Sequence, residues 1–203
     1  ENDIKVERCF LKSGPNNAVA TGLVKNALDG RPQIILRLES PIIDADPLLF
    51  WEFEDSNDAE DDFGFDFQVD LYVDQLHLGE FNGQGLRGVV YNRRTKLLGR
   101  DMRIDGCGGT FMGNWSLAEE KEGSRFWSTA SCNAIELDRL LKSFNSFDIE
   151  DLDESNLKGS ANATAEMTFY FDSEWQVQSQ KTIIDVEAEV RNGSLRNYSP
   201  LQE

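Results

Sequence analysis

Histidine occurs once in this chain and cysteine three times, and each scarcity removes a class of chemistry. Cys9, Cys107 and Cys132 are an odd number without metal-ligand spacing, so no disulfide framework and no zinc site is encoded, and at most one bridge can form. His77, the lone histidine, sits in an alternating segment with no serine or cysteine nucleophile paired to it by a motif, so a catalytic triad has no support. Positive charge is scarce as well: 20 Lys and Arg face 37 Asp and Glu, a net charge of −17 that repels nucleic acid and anionic lipid surfaces alike. No run of about 18 apolar residues exists, which excludes a spanning helix within the sequence. The first residue is Glu1 rather than Met, so the expectation is a processed protein or an excised piece whose signal or anchor lies elsewhere.

What is present begins with a repetition. "IIDADPLLF" (42 to 50) returns as "AIELDRLLK" (134 to 142): Ile43, Asp46, Leu48 and Leu49 match Ile135, Asp138, Leu140 and Leu141 at a constant offset of 92. Upstream, "AVATGLVKN" and "GTFMGNWSL" carry Gly22 and Gly113 at nearly the same offset. Downstream, each phrase leads into an acidic stretch, "EFEDSNDAEDD" and "NSFDIEDLDES", and then into a long alternating segment.

Those segments set the fold class as mainly β. In "FDFQVDLYV", Phe65, Phe67, Val69, Leu71 and Val73 fall on one side of a strand, with Asp66, Gln68, Asp70 and Tyr72 on the other. "ATAEMTFYF" places Met167 and Phe169 on one side, "IDVEAEV" does the same with Ile184 and Val186, and "IILRL" adds Ile34, Leu36 and Leu38. Asp29-Gly30, Asn82-Gly83, Asp105-Gly106 and Asn192-Gly193 suit the positive backbone angles of tight hairpins, so the sheet is expected to be antiparallel. Asp46 before Pro47, and Asp138, read as N-caps of short helices near 46–51 and 137–145, the second with Leu137, Leu140, Leu141 and Phe144 on one face. A helix this short is marginal alone and is expected to dock on the sheet.

Strands such as "GCGGTFMGNWSL" passing into "IELDRLL", and "LKGSANATAEMTFYF" followed by "VEAEVRNGSLRNYSPL", resemble the AsmA family of bacterial envelope proteins. That resemblance implies a single elongated β domain over residues 1–203: two partial repeats, about 1–62 and 63–155, and a closing strand set, 156–203. It also implies a curved antiparallel sheet of repeating β-groove units with short capped helices, in the periplasm and attached to the inner membrane through a segment not present here. The function implied is binding of phospholipid or another acyl lipid in an apolar groove, in lipid transport or outer-membrane assembly, with possible envelope protein partners. Phe65, Phe67, Val69, Leu71, Val73, Met167, Phe169, Ile184 and Val186 are the candidate groove residues. The alternative reading is a structural or protein-interaction β-domain with a filled core and no ligand.

Other motifs give way on inspection. "GQGLRG" satisfies G-x-G-x-x-G at Gly83, Gly85 and Gly88, yet strand-like "VVYNRR" follows where a dinucleotide site needs a helix. The acidic run 52–62 lacks the residue order of a calcium loop and reads as a solvated linker. Carboxylates are abundant, but abundance is not the paired geometry of a glycosidase. No enzyme activity, metal or cofactor is assigned, and no nucleic acid partner.

Overall fold

The computed structural model describes residues 2–28, 30–46, 64–93, 95–120, 123–148 and 156–196. Among them are ten strands: β1 (Ile4–Ser13), β2 (Asn16–Lys25), β3 (Gln33–Asp44), β4 (Asp66–Leu78), β5 (Phe81–Arg93), β6 (Lys96–Gly106), β7 (Gly109–Glu120), β8 (Gly123–Glu136), β9 (Leu157–Phe171) and β10 (Ile183–Leu195). They form one curved sheet in sequential order, with β1 and β10 as edges, so the sheet does not close into a barrel. Helix among the described residues is confined to α1 (Leu137–Ser143), two short 3-10 turns and the single residue Asp46. The alternating segments read from the sequence lie in β3, β4, β9 and β10.

The antiparallel expectation needs one correction. Eight of the nine pairings are antiparallel, but β3 and β4 run parallel, Gln33 opposite Asp66 and Asp44 opposite His77. A parallel pair cannot be closed by a hairpin, and residues 45–65 carry the chain back to the start of β3.

Three of the turn assignments also move, two of them for a packing reason. Tight hairpins whose turn residues are both described sit at Gly14-Pro15, Gly79-Glu80 and Cys107-Gly108, where Gly14 (φ 56°), Gly79 (φ 55°), Cys107 (φ 48°) and Gly108 (φ 80°) supply the positive angles that primed turns require. Gly83 and Gly106 lie inside β5 and β6 instead. A Cβ on Gly83 would overlap Ile104, and one on Gly106 would overlap the Phe81 ring, so these glycines are seats for large side chains. Asn192 does take a positive φ of 54°, but inside β10, where the register with β9 shifts between Arg191 and Ser194. Asp29 lies outside the described residues. The G-x-G-x-x-G segment is part of β5, bonded to β4 and β6, and no helix follows it.

Similar register shifts interrupt β6 and β8, and each is closed by an asparagine from the next strand. Asp101 (φ 50°) donates its N–H to Asn114 Oδ1 at 3.0 Å, and Ala134 (φ 57°) donates to Asn162 Oδ1 at 2.8 Å. The extra residue bends the strand and shifts the alternation by one, so Met102 and Ile135 face the same way as Gly99 and Cys132.

α1 begins two residues earlier than the cap assignment implies. Glu136 is the N-cap, without a side-chain cap bond, and Asp138 lies inside the first turn, its Oδ1 accepting the Arg139 N–H at 3.0 Å. Its charge still favours the positive end of the helix. The early start follows from burial: Leu137 and Leu141 must reach the sheet directly after Ile135. The helix over 46–51 lies outside the described residues beyond Asp46, whose Oδ1 accepts the Gly79 N–H at 2.6 Å and so ties this turn to the β4–β5 hairpin.

α1 covers one corner of the sheet. Phe81, Cys107 and Ile135 are buried there, with Leu78, Ile104, Phe111, Cys132 and Leu140 packed against them. The Phe81 ring meets Phe111 edge-on at 5.9 Å and stacks on Phe144 at 5.6 Å. All three cysteines are free thiols.

Candidate functional site: an apolar sheet face

Residues directly opposite in a ladder point to the same side of the sheet, so register locates each candidate. Val69 lies opposite Leu36 on β3 and Val90 on β5; Leu36 lies opposite Gly22, and Gly22 opposite Val6. In the other direction Val90 faces Gly99, then Trp115, Ser128, Met167 and finally Ile184. One line therefore crosses all ten strands without meeting a charge. Nine intervals of about 4.8 Å make it roughly 43 Å long.

The candidate residues all belong to this face, in two groups. Phe67, Val69 and Leu71 on β4 are half-buried, and Phe65 just before the strand puts its ring 6.2 Å from that of Phe67. Val73 is fully buried, so it belongs to the packed part of the face and offers no surface to a ligand. Met167 and Phe169 on β9 are half-buried, while Ile184 and Val186 on the edge strand are exposed. Five intervals, about 24 Å, separate β4 from β9. The groups share a face but do not touch.

What joins them was not among the candidates. Leu86, Met102, Ile104, Phe111, Trp115 and Phe126 line a hollow of about 260 Å³ on the same face, with Ser128 and Ala130 on its floor. Trp115 stacks toward Phe126 at 6.3 Å, and Phe126 reaches Phe169 at 6.4 Å. Glycine shapes this centre: a Cβ on Gly99 would overlap the Trp115 indole, and one on Gly88 would overlap the Met102 sulfur. The Ser128 hydroxyl is buried without a hydrogen-bond partner, a polar atom in an otherwise apolar floor.

The opposite face is wet. Arg37 pairs with Glu39 at 2.7 Å and lies over the Tyr72 ring, and Trp127 donates its indole N–H to Glu166 at 3.0 Å. A wider, shallow depression of about 760 Å³ runs between long side chains here, lined by Arg103, Asn114, Thr129, Thr164, Glu166 and Glu187. It is larger than the apolar hollow, but its mixed charges suit water rather than hydrocarbon. A displaced pKa is also found on this side: the hydrogen bond and then the charge of Arg191 hold the exposed Glu189 carboxyl below its ordinary value.

The acidic run 52–62 lies outside the described residues. Among the described residues no group of three or more His, Cys, Asp or Glu side chains could hold a metal ion, and no helix is long and apolar enough to cross a membrane. No family model, curated protein or solved structure matches the chain. The class that fold and face define, among the described residues, is one curved β-sheet, apolar on one side and charged on the other.

Proposed function

We propose that this face is an acyl-chain binding surface and that the protein is an AsmA-like segment of the cell envelope. In that reading it works in the periplasm, attached to the inner membrane through a segment outside this chain, in lipid transport or outer-membrane assembly. The observation that carries the proposal is the uncharged line across all ten strands, which α1 covers at one corner only among the described residues. An apolar sheet face has to be covered by a helix layer, a second sheet or a ligand. At roughly 43 Å the line is longer than one leaflet of a bilayer's hydrocarbon core, about 15 Å, so whole acyl chains could lie along it. Each methylene removed from water there contributes about 0.8 kcal/mol, and no charged residue need take part.

The test is photo-crosslinking in cells from one residue on each face. A photoreactive side chain at Phe67 or Phe169 is expected to capture lipid, and one at Asp70 or Thr164 on the wet face is not. Equal labelling of both faces, or none at Phe67 and Phe169, would return the protein to the alternative: a structural or protein-interaction β-domain whose apolar face is filled by its own side chains.

A further inference from the structure

The two sheet edges are unlike each other, and the difference is electrical. On β10 the side chains facing the wet side include Asp185, Glu187 and Glu189; Asp185 and Glu187 border the depression formed with Thr164 and Glu166. On β1 the same side carries Lys5, Arg8, Phe10 and Lys12, with Lys5 paired to Glu7 at 3.4 Å and Arg8 over the Phe10 ring, so cations are in excess there. The other side of both edges is apolar and open to solvent: Ile4 is 55% exposed and Leu11 46%, and on β10 Ile184 is 55% and Val186 56% exposed. Among the described residues each edge strand is paired on one side only, and the other side is the template on which sheets add strands.

Strand direction limits what can be added. Following the pairings across the sheet, with one parallel junction at β3–β4, brings β10 out running the same way as β1. A second copy set beside the first in the same orientation therefore meets β10 with its β1 as a parallel pair, the geometry already used between β3 and β4. Its apolar face then continues that of the first copy. The competing arrangement, a two-fold dimer through β10 on β10 or β1 on β1, sets an excess of carboxylates or of cations against its own kind, with Arg191 and Glu7 each already held by a neighbour on its own strand, and like charges opposite one another destabilise a ladder. Charges on an edge commonly guard it against strand addition. Here they block pairing of like with like and leave the unlike pair favourable.

We infer that copies of this chain assemble head to tail, β10 of one against β1 of the next, with the carboxylate row Asp185, Glu187 and Glu189 on the side that faces Arg8 and Lys12 across the junction. Such an interface is heterologous, so it propagates into open chains or closes as a ring rather than stopping at a dimer. The net charge of −17 opposes approach at low salt, and ions at physiological strength screen it beyond about 8 Å while sparing the close edge contacts. This goes beyond the lipid reading and stands without it, because it is read in the absence of lipid.

Sedimentation velocity over a concentration series at physiological ionic strength tests it with two charge reversals. Asp185→Lys with Glu187→Lys makes both edges basic, and Arg8→Glu with Lys12→Glu makes both acidic; all four residues are exposed or half-exposed, and far-ultraviolet circular dichroism confirms the fold of each protein. The wild-type chain is expected to show species larger than a dimer as concentration rises. Each reversed protein alone is expected to sediment as a monomer, and an equimolar mixture of the two to associate again. A wild-type monomer at every concentration, an association that ends at a dimer, or one that ignores the reversals would overturn the inference.

Discussion

The corner under α1 and the strip from Phe67 to Phe169 share one apolar face, yet they have different neighbours. At the corner, Ile135 is fully buried and Phe81 nearly so, because a helix and Phe144 lie over them. Along the strip, Val69, Leu71, Met167 and Phe169 are half-buried, and among the described residues no second layer lies over them. The same residue types do two jobs. Packing at the corner gives the sheet an anchored region, and the strip keeps hydrocarbon-like surface available.

Breaking the corner is expected to have the largest effect. Phe81→Ala removes the ring that contacts Phe111 and Phe144 and is expected to cost about 3–5 kcal/mol, and Ile135→Ala about 2–5 kcal/mol, each read by urea denaturation. On the strip, Val69→Asp is expected to cost less, about 1–3 kcal/mol, because its carboxylate retains access to water, and to abolish lipid capture at the same time. If Val69→Asp were as damaging as Ile135→Asp, the two regions would be one core.

Smaller changes sharpen the contrast within the strip. Gly99→Val forces the Trp115 indole off its seat and is expected to cost about 1–3 kcal/mol, with a red-shifted tryptophan emission as the ring becomes wetter. Ser128→Ala deletes a buried hydroxyl that has no partner, so the midpoint of unfolding is expected to stay within about 0.5 kcal/mol or to rise. The smallest effect belongs to the wet edge. Because Arg191 lowers the folded-state pKa of Glu189, the pair's contribution is present above the ordinary carboxylate range and is lost as pH falls through that lowered value. Arg191→Ala is expected to move the Glu189 titration, followed by NMR, upward to the ordinary range, with little change in stability for so exposed a pair.

The strands β4 and β9, and β10 as far as Val190, were legible in the sequence because every second residue is apolar. The centre was not. In β6 and β8 the extra residues at Asp101 and Ala134 reverse the period partway, and in β5 to β7 the apolar side is partly glycine, whose role appears only when the strand carrying Trp115 or Ile104 lies beside it. A glycine at an apolar position, paired with a bulky residue in a neighbouring strand, is the signal that would have found it. The repeated phrase was legible as a place where the chain leaves the sheet, but not as a direction of return. After β8, helical residues rise only about 1.5 Å each and the chain re-enters antiparallel, Glu136 opposite Ser160. After β3, a connection of nearly the same length carries it about 40 Å back along the strand to a parallel neighbour. No hairpin signal separates β3 from β4, and that absence was the available clue.

The central claim, that the uncharged line holds acyl chains, is tested most directly by two tryptophans on adjoining strands. Trp115 lies in the hollow, and Trp127 lies on the wet face with its indole bonded to Glu166. Two proteins, each keeping one of these and with Trp51, Trp175 and the other replaced by Phe, are titrated with a phospholipid brominated on its acyl chain, which quenches indole fluorescence only on contact. Saturable quenching of Trp115 with Trp127 unaffected is the predicted result; quenching of neither, or of both alike, would contradict it.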